Sequence, residues 1–274
     1  MTYQSVIIKE FGSPEVMEVI EEPKLPEPKS GEIRVRVLVT SACFTDVMIR
    51  KGVYPDVKEK PPFSPGYDMV GVVDKLGEGT SKFRLGDRVC DLTIIGSYSE
   101  YICVSESHLV PVPDSIDPGE AVSLVLTYVT AYQMLQRVAK VETGHDGIDV
   151  AFDGLGWQSF KRSLKTIKPG GMLVAYGFSN AVNKGKASVI WDFIRFKVMS
   201  LLPGSKRKTF YSITKLRKQH PDWFCDDLSE LFELLTKSRI KPSIWKRLPL
   251  SEARQAHELI EQSKPQGKII LEVG

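Results

Sequence analysis

Residues able to do chemistry are sparse in this chain, and their spacing excludes several kinds of chemistry. The four cysteines, Cys43, Cys90, Cys103 and Cys225, form no C-x-x-C pair. Neither a disulfide framework nor a structural zinc cluster is expected from them. They read as buried free thiols in a reducing compartment. Cys43 with Asp68 does not make a zinc site either, because zinc needs three or four correctly spaced N, S or O ligands. Gly154-Leu155-Gly156 follows the apolar run IDVAF, as a phosphate-binding turn would. Trp157-Gln158-Ser159 comes next, which does not complete a G-x-G-x-x-G fingerprint.

The elements that would position these residues fall into two kinds. From the N-terminus to about residue 116 there are many short alternating runs, among them YQSVIIK (3–9), residues 15–21, EIRVRVLV (32–39) and MVGVVDKLG, with Gly and Pro turns between them. This pattern predicts a compact β-barrel or sandwich of about 120 residues, with Gly77-Glu78-Gly79 inside it. Residues 44–51 predict a short helix ending at Gly52. At Asp117 the pattern changes to helical spacing through 117–140. IDVAFDG then predicts a short buried strand and 157–168 a helix. Pro169-Gly170-Gly171 predict a turn and MLVAYGF a buried strand, which completes a βαβ unit with a parallel pair. Helices are predicted over 188–202 and from about Pro221 to Lys237, with a strand in KTFYSIT. The tail predicts strand IWKRLPL, a helix N-capped by Ser251, and a closing strand GKIILEV.

The chain has 274 residues, 42% hydrophobic and 26% charged, the composition of a globular protein of about two domains. A net charge of +3 does not call for a nucleic-acid partner. No run of about 18 apolar residues suggests a membrane span. MTYQSVIIKE lacks a signal-peptide layout, so a cytoplasmic location is expected.

Several separated segments resemble the medium-chain dehydrogenase/reductase superfamily. They are PFSPGYDMVGVVDKLGEG (62–79), GDRVCDL (86–92), GSYSEYICV (96–104), AVSLVLTYVTAYQML (121–135), GIDVAFDGLG (147–156), IKPGGMLVAYGF (167–178) and PQGKIILEV (265–273). The resemblance is to the zinc-independent NADPH:quinone oxidoreductase, or zeta-crystallin-like, branch. It implies an α/β chain with a β-rich domain: a GroES-like β-barrel of residues 1–122 and 241–274, and a Rossmann-type domain over 123–240. Zinc members carry a Cys-His pair and then Gly-His-Glu. Here Cys43-Phe44-Thr45-Asp46 and Gly66-Tyr67-Asp68 stand at those places. Aromatics fill both histidine positions, so no metal is expected.

The resemblance further implies NADPH as cofactor and a small apolar quinone or enone as substrate. Tyr54, Thr45 and Tyr67 would be the hydroxyls able to hydrogen-bond a substrate oxygen, with a packed or capping role as the alternative for each. Thr127, Thr130, Gly177, Phe178, Ser179, Gln266 and Lys268 would contact the cofactor.

What the branch carries after its VAKV-type helix is absent here. Val141 is followed by Glu142 to Asp146, and a later strand begins at Ile148. The first strand, the phosphate turn with its helix, and strands 2 and 3 have no counterpart. The expected sheet is truncated, keeping strands 4-5-6 only, with the junction near 141–147. NADPH binding is then expected to be weak or absent. The alternatives are a catalytically inactive deletion variant or a small-molecule or lipid-binding protein on the same fold. The new edge strand, about 149–153, is expected to pair with another copy in a homo-oligomer. Between Lys184 and Lys218 ten Lys or Arg accompany one acid, Asp192, interleaved with Trp191, Phe193, Ile194 and Phe196. This reads as a solvated face beside an amphipathic helix; the other readings are contact with the 2′-phosphate of NADPH or with an anionic membrane surface.

Overall fold

A computed structural model describes residues 1–139, 148–182 and 184–274. The junction near 141–147 lies outside the described residues. The strands among the described residues are β1 (Tyr3–Ile8), β2 (Met17–Glu22), β3 (Glu32–Ala42), β4 (Met69–Leu76), β5 (Arg88–Asp91), β6 (Tyr101–Ser105), β7 (Val110–Pro111), β8 (Ile148–Asp153), β9 (Ile167–Ala175), β10 (Arg207–Phe210), β11 (Ile244–Pro249) and β12 (Lys268–Glu272). The α-helices are α1 (Phe44–Arg50), α2 (Pro118–Ser123), α3 (Val129–Tyr132), α4 (Trp157–Thr166), α5 (Ser179–Val182), α6 (Lys186–Leu201), α7 (Ile213–Gln219), α8 (Pro221–Thr236) and α9 (Ala253–Glu261). Leu124–Tyr128 and Gln133–Ala139 are π-helical turns. The chain forms two units, Met1–Val129 with Cys225–Gly274, and Thr130–Phe224.

The first unit is built on β3. Its alternation buries Ile33, Val35 and Val37, while Arg36 points to solvent. Along one side β3 pairs antiparallel with β4. Along the other, its first half pairs with β6 and its last four residues with β12. The sheet runs β11-β12-β3-β4-β5-β7, so the C-terminal strand returns to the N-terminal ones. This is the GroES-like layout, with β1 and β2 as a separate hairpin. Asp117 accepts the Glu120 amide at 3.0 Å and caps α2, whose first residue is Pro118.

The second unit holds a three-stranded parallel sheet, β10-β9-β8. Met172 to Ala175 of the central β9 are buried as a continuous run, as expected for a strand covered on both faces. Phe160, Phe178, Phe193, Phe196 and Phe210 form one aromatic cluster, with Phe178 stacked on Phe210 at 5.3 Å.

Three expectations change. IDVAF is a strand but not a buried one: Ile148 and Phe152 are exposed, because β8 has a neighbour on one side only among the described residues. Pro169-Gly170-Gly171 lie inside β9 as an irregularity, where the register passes from Ile148↔Ile167 to Val150↔Met172 and the Gly170 amide bonds the Ser205 carbonyl instead. Ser251 does not cap the last helix. It sits within a 3-10 turn, Leu250–Glu252, and Glu252 occupies the cap position of α9.

Candidate functional site

In the first unit β3 leads through Cys43 into α1. Asp46 reaches back so that its Oδ2 accepts both the Cys43 amide at 2.9 Å and the Cys43 thiol at 3.0 Å. Opposite, Gly66 at φ +108° turns the chain into β4, and a Cβ there would lie 2.3 Å from Ser97 Oγ. That turn delivers Tyr67 and Asp68, both fully buried. Ser41 holds Asp68 completely: its amide donates to Oδ1 at 2.9 Å and its hydroxyl to Oδ2 at 2.8 Å. Lys268 Nζ donates to the same Ser41 hydroxyl at 3.0 Å, forming a lysine–serine–aspartate relay.

Tyr54 and Tyr67 meet edge to face, with their hydroxyl oxygens 2.5 Å apart. Burial raises both phenols above their ordinary range. The hydrogen bond between them acts in opposite directions on the two, lowering Tyr54 and raising Tyr67, and either hydroxyl can be its donor. Thr45, in the first turn of α1, is half-buried. Burial also raises the Cys43 thiol well above its ordinary value, and the Asp46 charge adds to this, so Cys43 stays protonated. Burial pushes Asp46 up to about 7 against the Cys43 hydrogen bonds.

A cavity of about 360 Å³ has Cys43, Phe44, Thr127, Lys268 and Ile269 in its lining; Thr45, Tyr54 and Tyr67 do not line it. The structure therefore brings Thr127 and Lys268 to the same cavity as Cys43. Gln266 is exposed just before it, its carbonyl accepting the Ser243 hydroxyl at 3.4 Å. A second cavity of about 350 Å³, between the β1–β2 hairpin and Tyr101, holds none of the residues expected from the sequence.

The second unit places its candidates differently. Thr130 is half-buried in α3. Gly177 packs on the Gly154 carbonyl, where a Cβ would come within 2.9 Å. Ser179 donates its amide at 3.0 Å and its hydroxyl at 3.2 Å to the same carbonyl. Phe178 belongs to the aromatic cluster and is 6% exposed. These three residues tie β9 to the Gly154-Leu155-Gly156 turn.

That turn opens α4, and a helix N-terminus is where a nucleotide diphosphate would sit. Asp192 already fills the place. Its Oδ2 accepts the Trp157 amide at 3.1 Å and lies 3.0 Å from where a Cβ on Gly156 would be. This turn does not fit the diphosphate of a dinucleotide. Periodicity cannot reveal such a plug, since Asp192 lies 35 residues along the chain.

Two family models match the chain: an alcohol dehydrogenase GroES-like domain over residues 29–114 and a zinc-binding dehydrogenase over residues 124–271. The chain belongs to the zinc-binding dehydrogenase family. Rat quinone oxidoreductase is 24% identical, with 98% of this chain and 97% of the rat protein aligned. Human synaptic vesicle membrane protein VAT-1 homolog-like is 22% identical over 98% of this chain and 81% of its own length. The crystal structure of that human protein superposes with a TM-score of 0.81 at 21% identity, covering 100% of this chain and 99% of that one. A mycobacterial protein complexed with NADPH gives 0.82 at 22% identity, covering 98% and 99%. These likenesses carry the fold. The rat alignment runs over 337 positions and the human one over 340, against 274 residues here, so stretches of both relatives face no residue of this chain.

For this zinc-binding dehydrogenase, zinc itself fails a test of fit. Phe44 and Tyr67 stand at the histidine positions. The Cys43 thiol is committed to Asp46, and both oxygens of Asp68 are held by Ser41.

Proposed function

We propose that this chain descends from NADPH-dependent quinone or enone oxidoreductases, retaining their substrate-facing site while its cofactor binding is impaired or lost. The observation that carries the reading is the Tyr54–Tyr67 hydroxyl pair, in the same unit as the cavity lined by Cys43, Thr127 and Lys268. With the enclosed Tyr67 as the donor of the pair, the proton of the half-buried Tyr54 is left for an incoming oxygen. Both phenols are held neutral, so Tyr54 acts as a fixed donor where negative charge would develop on a quinone or enone carbonyl. Thr45 adds a hydroxyl on the same helix as Asp46. NADPH would supply the hydride in an intact member of this branch. Thr127, Gln266 and Lys268 are the first unit's residues for its nicotinamide end.

Impairment is supported by the three-stranded sheet, by Asp192 in the α4 turn and by the alignment lengths. The missing positions are assigned to the 141–147 junction. The same observations favour the second reading, a catalytically inactive variant or small-molecule or lipid-binding protein on this fold. A reducing, cytoplasmic setting accords with four free thiols.

The test is fluorescence titration with NADPH and NADPH oxidation with a small quinone, on this chain and on a version carrying the rat protein's intervening segment at the junction. Activity and tight binding only in the extended version support the proposal. Submicromolar binding by the chain as it stands refutes the impairment. An extended version that binds NADPH but reduces no quinone or enone refutes the assigned chemistry.

A further inference from the structure

Helix α6 is apolar on two faces. Its inner face buries Val189 and Phe196, with Phe196 in the aromatic cluster. Its outer face carries Ile190, Trp191, Ile194, Val198 and Leu201, which are 50, 59, 42, 55 and 83% exposed. At 100° per residue these positions fall on one stripe along a helix of 16 residues. From Ile190 to Leu201 the stripe is about 17 Å long. Leu202, just beyond the helix, extends it and is 59% exposed. Contiguous exposed apolar surface of this kind marks an interaction site.

Cations border the stripe. Lys186 and Lys197 lie along one side and Arg195 along the other, all exposed, with Lys184 and Arg207 exposed beyond the two ends. The one acid of the segment, Asp192, turns inward: its carboxylate caps Trp157, its side chain is 15% exposed, and its Oδ1 lies 3.6 Å from Arg195. The rim is therefore positive, and no outward carboxylate on the helix offsets Lys186 and Lys197.

We propose that this face of α6 docks on an anionic lipid bilayer, with the helix lying in the headgroup plane. Trp191 and the aliphatic side chains enter the interface while the bordering cations meet lipid phosphates. Tryptophan favours that boundary because its ring is apolar and its N–H is polar. Charge selects this occupant over a second copy of the chain. A two-fold axis through the stripe would set the cationic rims of two copies against each other, with no outward acid on either helix to receive them. Among the described residues no helix is long and apolar enough to cross a membrane, and attachment in the plane requires none.

The test is co-sedimentation of the full chain with vesicles of phosphatidylcholine alone or mixed with phosphatidylserine, at low and high salt, alongside analytical ultracentrifugation. The expected result is binding to the phosphatidylserine vesicles with a blue shift of tryptophan emission, reduced by salt. Lys186→Ala and Lys197→Ala should each weaken it roughly fivefold. Ile194→Glu should abolish it with an unchanged melting temperature, and Trp191→Phe should remove the blue shift. The proposal is overturned by absence of binding to anionic vesicles or by equal binding to neutral ones. It is also overturned if Ile194→Glu dissociates a dimer and leaves vesicle binding as it was.

Discussion

The Asp192 carboxylate accepts the Trp157 amide at 3.1 Å, so a side chain from α6 occupies the start of α4. The bond both caps a helix and holds two elements of the second unit together. Asp192→Ala should cost about 1 kcal/mol, the usual worth of an N-cap, by urea denaturation. It should not create tight NADPH binding, because removing the plug supplies none of the missing phosphate turn. Fluorescence titration of the variant checks the second half of this expectation.

The tyrosine pair should be visible in alkaline titration. Burial raises both phenols, so the folded state keeps protons that the unfolded chain releases above about pH 10. Stability is then fully present below that pH and falls as pH rises further. Tyr67→Phe should destabilise by about 1 kcal/mol, the usual net worth of a hydrogen bond. Ultraviolet difference spectra should show Tyr54 ionising at still higher pH, because the hydrogen bond that lowers it is gone, and denaturation at several alkaline pH values should show a shallower fall.

Two buried groups near α1 oppose each other in acid. Asp46 is pushed from 3.8 up to about 7 by burial, so its contribution to stability falls as pH rises through that interval. His257, fully buried with Tyr98 Oη 3.3 Å from its Nε2, is pushed from 6.5 down to about 3, first by burial and then by the charge of Arg50. Its contribution is lost as pH falls from 6.5 towards 3. The two slopes largely cancel over their overlap. Asp46→Asn should unmask the histidine, making stability climb by about 1.4 kcal/mol per pH unit over that range. His257→Gln should leave a stability that falls towards pH 7. Denaturation midpoints across the acid range decide it.

Arg50 is wholly buried, and its guanidinium lies 2.9 Å from Glu261, which also receives Lys51 at 2.6 Å. The Arg50 contact is close but not aligned as a hydrogen bond, so the pair holds mainly by charge. Glu261→Gln should cost about 2 to 3 kcal/mol, at or below the low end for a broken buried pair because the carboxylate is partly exposed. Glu261→Asp should recover part of it. Thermal denaturation of both variants provides the check.

Strand β8 has no second neighbour among the described residues, and its Phe152 is exposed. Self-association there should appear in sedimentation velocity and weaken in Phe152→Lys, since a charge on an edge strand opposes strand pairing. A monomer at all concentrations would remove this expectation.

Much of the architecture was legible in the sequence because it is written locally. The alternation in EIRVRVLV marks a strand with one buried face, and IDVAF, WQSFKRSLKT and MLVAYGF in succession mark a parallel βαβ unit. The lack of a glycine turn before Ile148 is likewise a local fact. Local pattern also misled where neighbours decide the outcome. An apolar run reads as buried, yet β8 is half-exposed, with one neighbour among the described residues. Ser251 reads as a cap, yet it sits inside a 3-10 turn, Leu250–Glu252. The resemblance makes Gly177, Phe178 and Ser179 cofactor contacts, and no local pattern shows that Gly177 and Ser179 pack on Gly154 and Phe178 on Phe210.

The sequence by itself determined the order of the family's segments, the aromatic residues at both histidine positions and the absent phosphate turn. Only the tertiary structure decided that the hydroxyls of Tyr54 and Tyr67 meet, that Ser41 links Lys268 to Asp68, and that Asp192 occupies the start of α4. Those contacts join residues 13, 27, 227 and 35 positions apart. A periodic pattern records which face of an element is buried; it does not record which distant side chain arrives there.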